Sequence, residues 1–261
     1  MKLDGATAVI TGGGGSIGAE IGRALSGRHT GVVKWDVTAG TDVIACDVSD
    51  PGSVAAAFET TVRSHGVPTI LVNAAGVSGG RAPWAEDAAD DDWPSVLSPV
   101  EAWRSVFDVN MLGPVNTSRE FARILRANRL TGAIVNITSI SGLELNDPAL
   151  TAYSASKAAA NAITRIAAKN FGPLGIRVNA VAPGMMENRM KLAGVTQEAG
   201  GGRGDPSGMM RRVAEATPVE KRFARPSDIA DAVIGLLEAD FVSGQILVVD
   251  GGVTLRSFSR D

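Results

Sequence analysis

Cysteine, histidine and tyrosine are scarce in this chain. Its 261 residues include one cysteine, two histidines and one tyrosine. A single thiol, Cys46, cannot form an intramolecular disulfide, and together with His29 and His65 it cannot complete a typical structural zinc site. We therefore expect no bound metal, and we expect a reducing, cytoplasmic location.

Long apolar runs and a strong excess of charge are also missing. No apolar stretch approaches the ~18 residues that mark a membrane span, and the chain reaches polar Asp4 without the apolar core of a signal peptide. The net charge of −3 gives no electrostatic reason to expect a nucleic-acid partner. Hydrophobic residues make up 44% of the chain, which is enough to bury the core of one large α/β domain.

Short apolar runs alternate with helical patterns from one end of the chain to the other. Continuous apolar runs are typical of parallel strands that are buried on both faces of a sheet. The strands are predicted over residues 7–11, 32–35, 43–46, 70–73, 133–138, 177–182 and 245–249. This alternation predicts right-handed βαβ units and a doubly wound α/β fold, with residues 1–261 in a single domain.

Apolar residues recur at helical spacing between these strands. Ile17, Ile21 and Leu25 predict the first helix. Asp50 as N-cap and Pro51 at the first helical position predict where the second helix begins. Three further helices are predicted over residues 106–126, 153–171 and 228–237.

A glycine-rich run, Thr11-Gly12-Gly13-Gly14-Gly15-Ser16-Ile17-Gly18, follows the first strand and opens the first helix. Glycines at this place permit a tight turn and let the backbone approach a pyrophosphate, which then rests on the helix N-terminus. Asp36 ends the second strand, where a carboxylate can accept hydrogen bonds from the adenosine ribose hydroxyls and repel a 2′-phosphate. Neither Lys34 nor Arg28 is an obvious phosphate clamp, so we expect NAD rather than NADP. The alternative for Asp36 is an ordinary turn aspartate.

Tyr153 and Lys157 are four residues apart, so on a helix they lie on the same face, one turn from each other. A fixed ammonium a few Å from a phenol favours the phenolate, so we expect the pKa of Tyr153 to fall below its ordinary value near ~10. A phenol with such a pKa can take a proton from an alcohol or return it to a carbonyl. The alternative is a packed tyrosine beside a lysine in solvent.

Taken in order, the motifs of this chain resemble those of the short-chain dehydrogenase/reductase family over essentially its whole length. Residues 11–18 resemble the family's TGxxxGxG turn, with Ser16 in place of the middle glycine. Asp47-Val48 resembles its adenine-contacting pair. Residues 73–76 resemble its NNAG segment, with Ala74 in place of the second asparagine.

The second half of the chain continues this resemblance. Residues 134–139 resemble the strand that ends in the family's catalytic serine, and residues 153–157 resemble its YxxxK signature. Residues 177–184 resemble its sixth strand with the Pro-Gly turn, and residues 244–252 resemble its closing strand. Asn188 stands where the family usually has a threonine that contacts the nicotinamide carboxamide.

The resemblance implies a Rossmann-type fold and an NAD(H)-dependent oxidoreductase that interconverts a small-molecule secondary alcohol and a ketone. Tyr153 would be the general acid/base, and Lys157 would lower its pKa and hold the nicotinamide ribose. Ser139 would donate a hydrogen bond to the substrate oxygen, and Asn110 would hold a water that links Lys157 to solvent. Ser141 is a rival for Ser139, although the 14-residue interval from Ser139 to Tyr153 is close to that of the family. Asn110 could instead cap a helix or face solvent.

The cofactor-binding residues that the resemblance implies are spread over six parts of the chain. They are Gly12, Gly14, Ser16, Ile17, Gly18, Asp36, Asp47, Val48, Asn73, Ala74, Ala75, Gly76, Tyr153, Lys157, Pro183, Gly184, Met186 and Asn188. Similar proteins pair their two long helices, here residues 106–126 and 153–171, across a two-fold axis, so we expect a homotetramer.

Two segments interrupt the alternation of strands and helices. Residues 78–99 are rich in acids and prolines and predict a solvated loop or a functional excursion. Residues 194–208 are rich in glycine, and we expect residues 185–210 to form a mobile lid over the substrate. Methionines such as Met185 and Met186 could line an apolar substrate wall or make contacts between lid and core.

Two other functions stay open at this point. A non-catalytic dinucleotide-binding protein could share the fold, but it would have no need of a tuned phenol. An epimerase or dehydratase on the same fold usually has a longer chain with a larger C-terminal substrate domain, whereas about 77 residues follow Gly184 here.

Overall fold

Seven parallel strands form one sheet in a computed structural model that describes residues 1–78, 100–143, 150–186 and 214–255. The strands are β1 (Thr7–Thr11), β2 (Gly31–Asp36), β3 (Val43–Ala45), β4 (Ile70–Asn73), β5 (Gly132–Ile137), β6 (Ile176–Pro183) and β7 (Ile246–Val249). Their spatial order is β3-β2-β1-β4-β5-β6-β7, and every neighbouring pair is parallel. The prediction of a doubly wound α/β sheet is confirmed, and each strand ends within one residue of its predicted bounds.

Helices cover both faces of this sheet. They are α1 (Ser16–Ser26), α2 (Pro51–His65), α3 (Val100–Phe107), α4 (Gly113–Asn128), α5 (Thr151–Phe171) and α6 (Pro226–Glu238). A π-helical turn, Asp108–Leu112, joins α3 to α4. The helix predicted over residues 106–126 is therefore part of a longer helical segment with a π turn inside it. Apolar spacing did not reveal this turn, because one extra residue in a single turn hardly changes the pattern.

Alternate residues along the strands supply two apolar cores. Ala8 and Ile10 of β1 pack with Ile21 and Leu25 in the core under α1 and α6, whereas Val9 lies in the core on the opposite face. That second core is closed by α2, α4 and the end of α5. Burial on both faces explains why the strands are continuous apolar runs in the sequence.

Helix α2 begins where the sequence signals placed it. Asp50 has an extended backbone, and its Oδ1 accepts a hydrogen bond from the N–H of Gly52 at 2.9 Å. Pro51 follows as the first helical residue, where its missing N–H leaves no unmet hydrogen bond inside the helix. This start turns the chain back across the sheet after β3.

The strand order reverses between β1 and β4. The chain runs outward from β1 to β3 and then returns, so that β4 lies on the other side of β1. Thr11 ends β1, and its Oγ1 accepts hydrogen bonds of 3.1 Å from the backbone N–H groups of Ala74 and Ala75, which follow β4. In open α/β sheets, ligands bind outside the carboxyl ends of the strands at such a reversal.

Within the described ranges, no helix combines the length and the apolar character needed to cross a membrane. In the same ranges, no group of three or more histidine, cysteine, aspartate or glutamate side chains could hold a metal ion. Residues 79–99 and 187–213 lie outside the described part of the chain. The predicted acidic loop, nearly all of the predicted lid and Asn188 are therefore not described.

Candidate active site

The glycine-rich turn between β1 and α1 lies at the reversal of the strand order. Gly12 has a φ of +64°, and a Cβ there would lie 2.8 Å from the backbone of Ala75. A Cβ on Gly18 would collide with the carbonyl oxygen of Gly12. Side chains are thus excluded at both positions, so the turn packs directly against the segment after β4 and against its own helix start. Ser16, the departure from the family motif, begins α1 with its side chain exposed and meets no such restriction.

Asp36 lies beside this turn at the end of β2. Its Oδ2 accepts a hydrogen bond of 3.1 Å from the backbone N–H of Gly14, so the carboxylate faces the glycine-rich turn. Asp47 follows β3 on the same edge and is exposed, with its Oδ1 accepting from the N–H of Ser49 at 2.9 Å. Val48 is buried. The side chains expected around an adenosine therefore share one edge of the sheet.

The segment of residues 73–76 has a buried part and an open part. The Nδ2 of Asn73 donates to Oδ1 of Asn136, and its Oδ1 accepts from Oγ1 of Thr117, both at 2.8 Å. This side chain is buried and binds the sheet to α4, so it is turned away from the crevice. Gly76, by contrast, is exposed at the end of the segment.

Tyr153 and Lys157 lie one turn apart on α5, as their spacing predicts. The Nζ of Lys157 is 5.7 Å from the ring centre of Tyr153, and it donates a hydrogen bond of 2.9 Å to the carbonyl oxygen of Ile137 at the end of β5. Lys157 is buried, and this burial lowers its pKa to about 8. The lysine is therefore a buried neighbour of the phenol and does not lie in solvent.

The pKa of Tyr153 corrects a prediction made from the sequence. Burial raises the pKa of the phenol above its ordinary value, and a hydrogen bond with Ser139 opposes this rise. The prediction of a pKa lowered by Lys157 was wrong for this structure, because the loss of water around the phenol disfavours the phenolate. The phenol is consequently protonated at neutral pH.

Ser139 begins the short 3₁₀ turn that follows β5, Ile140–Gly142. Its Oγ accepts a hydrogen bond of 3.1 Å from the N–H of Ser141, and its side chain also bonds to Tyr153. The end of β5 thus brings the Ser139 hydroxyl and the carbonyl of Ile137 to the same turn of α5. Of the two rival serines, Ser139 is the one joined to the phenol.

Asn110 is buried in the π-helical turn. Its Oδ1 accepts from the N–H of Val77 at 2.9 Å, and its Nδ2 donates to the carbonyl of Val77 at 2.8 Å and to Oγ of Ser156 at 3.0 Å. The alternative of a solvent-facing asparagine is therefore wrong. A Cβ on Gly76 would lie 3.2 Å from this Oδ1 and 3.4 Å from Nζ of Lys157, so both groups border the same space.

The Pro-Gly turn after β6 is tightly packed. The N–H of Gly184 donates to the carbonyl of Val249 at 2.8 Å, and a Cβ on Gly184 would lie 2.7 Å from Cα of Asp250. Met186 is buried, and its side chain packs in the core under α6. Any contact it makes with a cofactor would have to come from its backbone.

Sequence reasoning missed three residues that build this site: Thr11, Val77 and Ser156. Thr11 stands inside the glycine motif, but its hydrogen bonds to the end of β4 depend on the strand order. Val77 acts through its backbone, which no side-chain pattern reveals. Ser156 stands inside the YxxxK signature, and its contact with Asn110 depends on how α5 packs against the π turn.

A parallel sheet with a glycine-rich turn at its reversal, and with a serine, a tyrosine and a lysine beside it, defines the class of Rossmann-type dehydrogenases. A family model described as Enoyl-(Acyl carrier protein) reductase matches residues 18–254. The chain belongs to the short-chain dehydrogenase/reductase family and is an oxidoreductase of that family.

Individual relatives agree with this assignment. The chain is 34% identical over 263 residues to cis-4-hydroxycyclohexanecarboxylate dehydrogenase of Sinomonas cyclohexanicum, covering 95% of this chain and 96% of that one. It matches the structure of an NAD⁺-bound xylitol dehydrogenase with a TM-score of 0.83 and 26% identity, over 97% of this chain and 100% of that one. It matches gluconate 5-dehydrogenase from Burkholderia cenocepacia J2315, in complex with NADP and tartrate, with a TM-score of 0.81 and 29% identity, over 98% of each.

Proposed function

We propose that this chain is an NAD(H)-dependent dehydrogenase that interconverts a secondary alcohol and a ketone. The observation that carries the proposal is the cluster of Ser139, Tyr153, Lys157 and Asn110 beside the glycine-rich turn. A protein that only binds a dinucleotide would not require a buried lysine next to a phenol that is bonded to a serine. We further propose that the whole chain is one domain.

The crevice fits a nicotinamide dinucleotide. Gly14 and Gly15 are exposed and carry no side chain, so a pyrophosphate could approach the backbone at the start of α1. Gly76 likewise leaves a space bordered by Lys157 and Asn110. A bound nicotinamide would supply or accept the hydride, and the protein would align the substrate with it.

The proton would move through Tyr153. Its raised pKa keeps the phenol protonated at neutral pH, which is the form that donates a proton to a ketone oxygen. The hydroxyl of Ser139 would donate a second hydrogen bond to that oxygen and stabilise the charge that builds on it. Oxidation of an alcohol needs the phenolate, so we expect the oxidative rate to increase as the pH rises above neutral.

Asp36 supports NAD over NADP. Its carboxylate lies against the glycine-rich turn, where it would accept from ribose hydroxyls and repel a 2′-phosphate. Relatives of known structure include both an NAD⁺ complex and an NADP complex, so the family alone does not decide the cofactor. The charge at position 36 is the feature of this chain that favours NAD.

The substrate would be a small molecule with a secondary hydroxyl. The named relatives are dehydrogenases of a hydroxycyclohexane carboxylate, of xylitol and of gluconate, which supports cyclic hydroxy acids and polyols as the first candidates. Met186, one of the methionines that suggested an apolar substrate wall, is buried in the core under α6, and most of the other methionines after the Pro-Gly turn lie outside the described residues. The substrate therefore has to be found by assay.

A substrate panel tests the proposed function. Cyclic hydroxy acids, polyols and their ketones are incubated with NAD(H) and with NADP(H), and the absorbance of the reduced cofactor is followed. We expect turnover with at least one pair and a higher kcat/KM for NAD(H). Binding of NADH without turnover of any panel member, at any pH from 6 to 10, would instead favour a non-catalytic dinucleotide-binding protein.

We also propose a homotetramer in the cytoplasm. Ala155, Ala159, Ala162 and Ile166 lie on one face of α5, and the side chain of Ile166 is 59% exposed. An exposed apolar face with small residues suits close pairing with a second copy of the helix. Light scattering at micromolar concentration tests this, since a monomeric mass would contradict it.

A further inference from the structure

We propose that Ser156 is a positioning residue for the reaction, which holds the side-chain amide of Asn110 in the orientation that faces Lys157. The proposal rests on the proposed dehydrogenase function. Ser156 itself is fully buried beneath the site, so it would act through Asn110 and would not touch the substrate.

The direction of the hydrogen bonds at Ser156 is fixed by its partners. Its Oγ donates to the backbone carbonyl of Tyr153 at 2.7 Å, which uses its single proton. A lone pair of the same oxygen accepts from Nδ2 of Asn110 at 3.0 Å. One hydroxyl therefore joins the turn of α5 that carries Tyr153 to the π-helical turn that carries Asn110.

These contacts determine which way the Asn110 amide points. Both hydrogens of its Nδ2 are used, one on the carbonyl of Val77 and one on Ser156. Its Oδ1 accepts from the N–H of Val77 and keeps a second lone pair, since a carboxamide oxygen can accept two hydrogen bonds. A flipped amide would break both bonds to Val77 and would turn N–H groups toward the ammonium of Lys157.

The oxygen of this amide and the lysine border a common space. A Cβ on Gly76 would lie within 3.4 Å of both Oδ1 of Asn110 and Nζ of Lys157. The glycine leaves this space open for a water or a cofactor hydroxyl between an acceptor and a donor. Loss of the Ser156 hydroxyl would leave one N–H of Asn110 buried without a partner, which favours a shift of the π turn away from α5.

A second serine on the same helix provides a matched control. Ser154 is buried like Ser156, two residues earlier on α5, and its Oγ has no hydrogen-bond partner among the described residues. Replacing either serine with alanine removes one hydroxyl from the buried side of α5. The two variants therefore differ mainly in whether the hydrogen bonds with Asn110 and with the carbonyl of Tyr153 are lost, and the Asn110→Ala background separates these two losses.

The experiment compares Ser156→Ala with Ser154→Ala on the active enzyme found by the substrate panel. We expect Ser156→Ala to lower kcat between about 5- and 50-fold, because the Asn110 amide would lose its fixed orientation toward Lys157. We expect NADH affinity to stay within about twofold of that of the unchanged chain. We expect Ser154→Ala to keep kcat within about twofold of the unchanged chain. Equal effects of the two variants on kcat would overturn the proposal.

A double-mutant cycle tests whether Ser156 acts through Asn110. In an Asn110→Ala background, Ser156→Ala should lower kcat by less than about twofold, because the partner is already gone. If Ser156→Ala lowers kcat in that background as much as it does in the unchanged chain, Ser156 does not act through Asn110. If Ser156→Ala does not fold, as judged by its thermal unfolding, the same cycle is run with Ser156→Cys, whose sulfur is only a weak hydrogen-bond acceptor.

The failure of this proposal is distinguishable from failure of the proposed function. If the unchanged chain turns over no member of the panel, the dehydrogenase function itself is wrong. If the unchanged chain is active and the cycle is additive, the dehydrogenase function stands and the role of Ser156 is wrong.

Discussion

The ammonium group of Lys157 lies 5.7 Å from the ring centre of Tyr153. Burial moves the pKa values of the two groups in opposite directions, since it lowers that of the lysine to about 8 and raises that of the tyrosine. As the pH rises, the first proton lost from this pair therefore comes from Lys157. The pair is thus a protonated phenol beside a lysine that titrates close to physiological pH.

Replacement of Tyr153 with phenylalanine should abolish turnover and leave NADH binding nearly unchanged. The substitution removes the transferable proton and keeps the shape of the ring. General acid/base catalysis contributes about 10²–10⁴-fold, so the variant should retain less than about a hundredth of the rate. Steady-state kinetics and NADH fluorescence titration measure the two effects. A variant that keeps more than about a tenth of the rate would show that another group transfers the proton.

Replacement of Lys157 with methionine should abolish turnover and weaken cofactor binding, yet raise the stability of the fold at pH 7. Burial of the ammonium lowers its pKa from 10.5 to about 8, and a shift of that size corresponds to roughly 3 kcal/mol against folding. Loss of the bond to Ile137 offsets part of this gain, so we expect about 1 kcal/mol. Chemical denaturation of both chains at pH 7 measures the difference.

The same lysine makes a pH-dependent prediction for the unchanged chain. Between pH 8 and pH 10.5 the unfolded chain binds more protons at this site than the folded chain. The contribution of Lys157 to stability should therefore increase as the pH rises through this window. The stability advantage of Lys157→Met should shrink over the same window. A constant difference from pH 7 to pH 10.5 would mean that the lysine is not desolvated.

The double substitution Asp36→Ser with Val37→Arg should shift cofactor preference toward NADP. It removes the carboxylate that faces the glycine-rich turn and places a cation at a position that is 70% exposed. The ratio of kcat/KM for the two cofactors is the measurement, and Val37→Arg alone is the matched control. If the unchanged chain already prefers NADPH, Asp36 does not face the adenosine ribose.

Alanine at Gly18 should damage the fold far more than alanine at Gly15. A Cβ on Gly18 would collide with the carbonyl oxygen of Gly12, which belongs to the backbone and cannot easily move. A Cβ on Gly15 would lie 3.3 Å from the same oxygen, at an extended N-cap residue that tolerates a side chain. We expect a loss of about 2 kcal/mol or more for Gly18→Ala and less than about 1 kcal/mol for Gly15→Ala. Urea unfolding checks both values, and equal losses would contradict the close approach at Gly18.

The strands could be predicted because each is a continuous apolar run, which is typical of parallel strands buried on both faces. The approach of Tyr153 to Lys157 could be predicted because helical spacing alone brings them together. The raised pKa of Tyr153 could not be predicted, because it depends on how deeply the folded chain buries the phenol. The burial of Asn73 could not be predicted either, since the sequence motif does not show whether this side chain faces the crevice or the core.

Asn73 and Asn136 are direct partners in the pairing of β4 with β5, and their amides are joined at 2.8 Å. Successive side chains of a strand point to opposite faces, so a slip of one residue would separate these amides and break the buried hydrogen bond between them. Apolar neighbours cannot discriminate in this way, because one aliphatic side chain substitutes readily for the next. The amide pair therefore fixes the register of β4 against β5, which their apolar residues alone would leave undetermined. Because Ser139 follows Asn136 by three residues, the same amide pair also fixes the position of the serine at the end of β5.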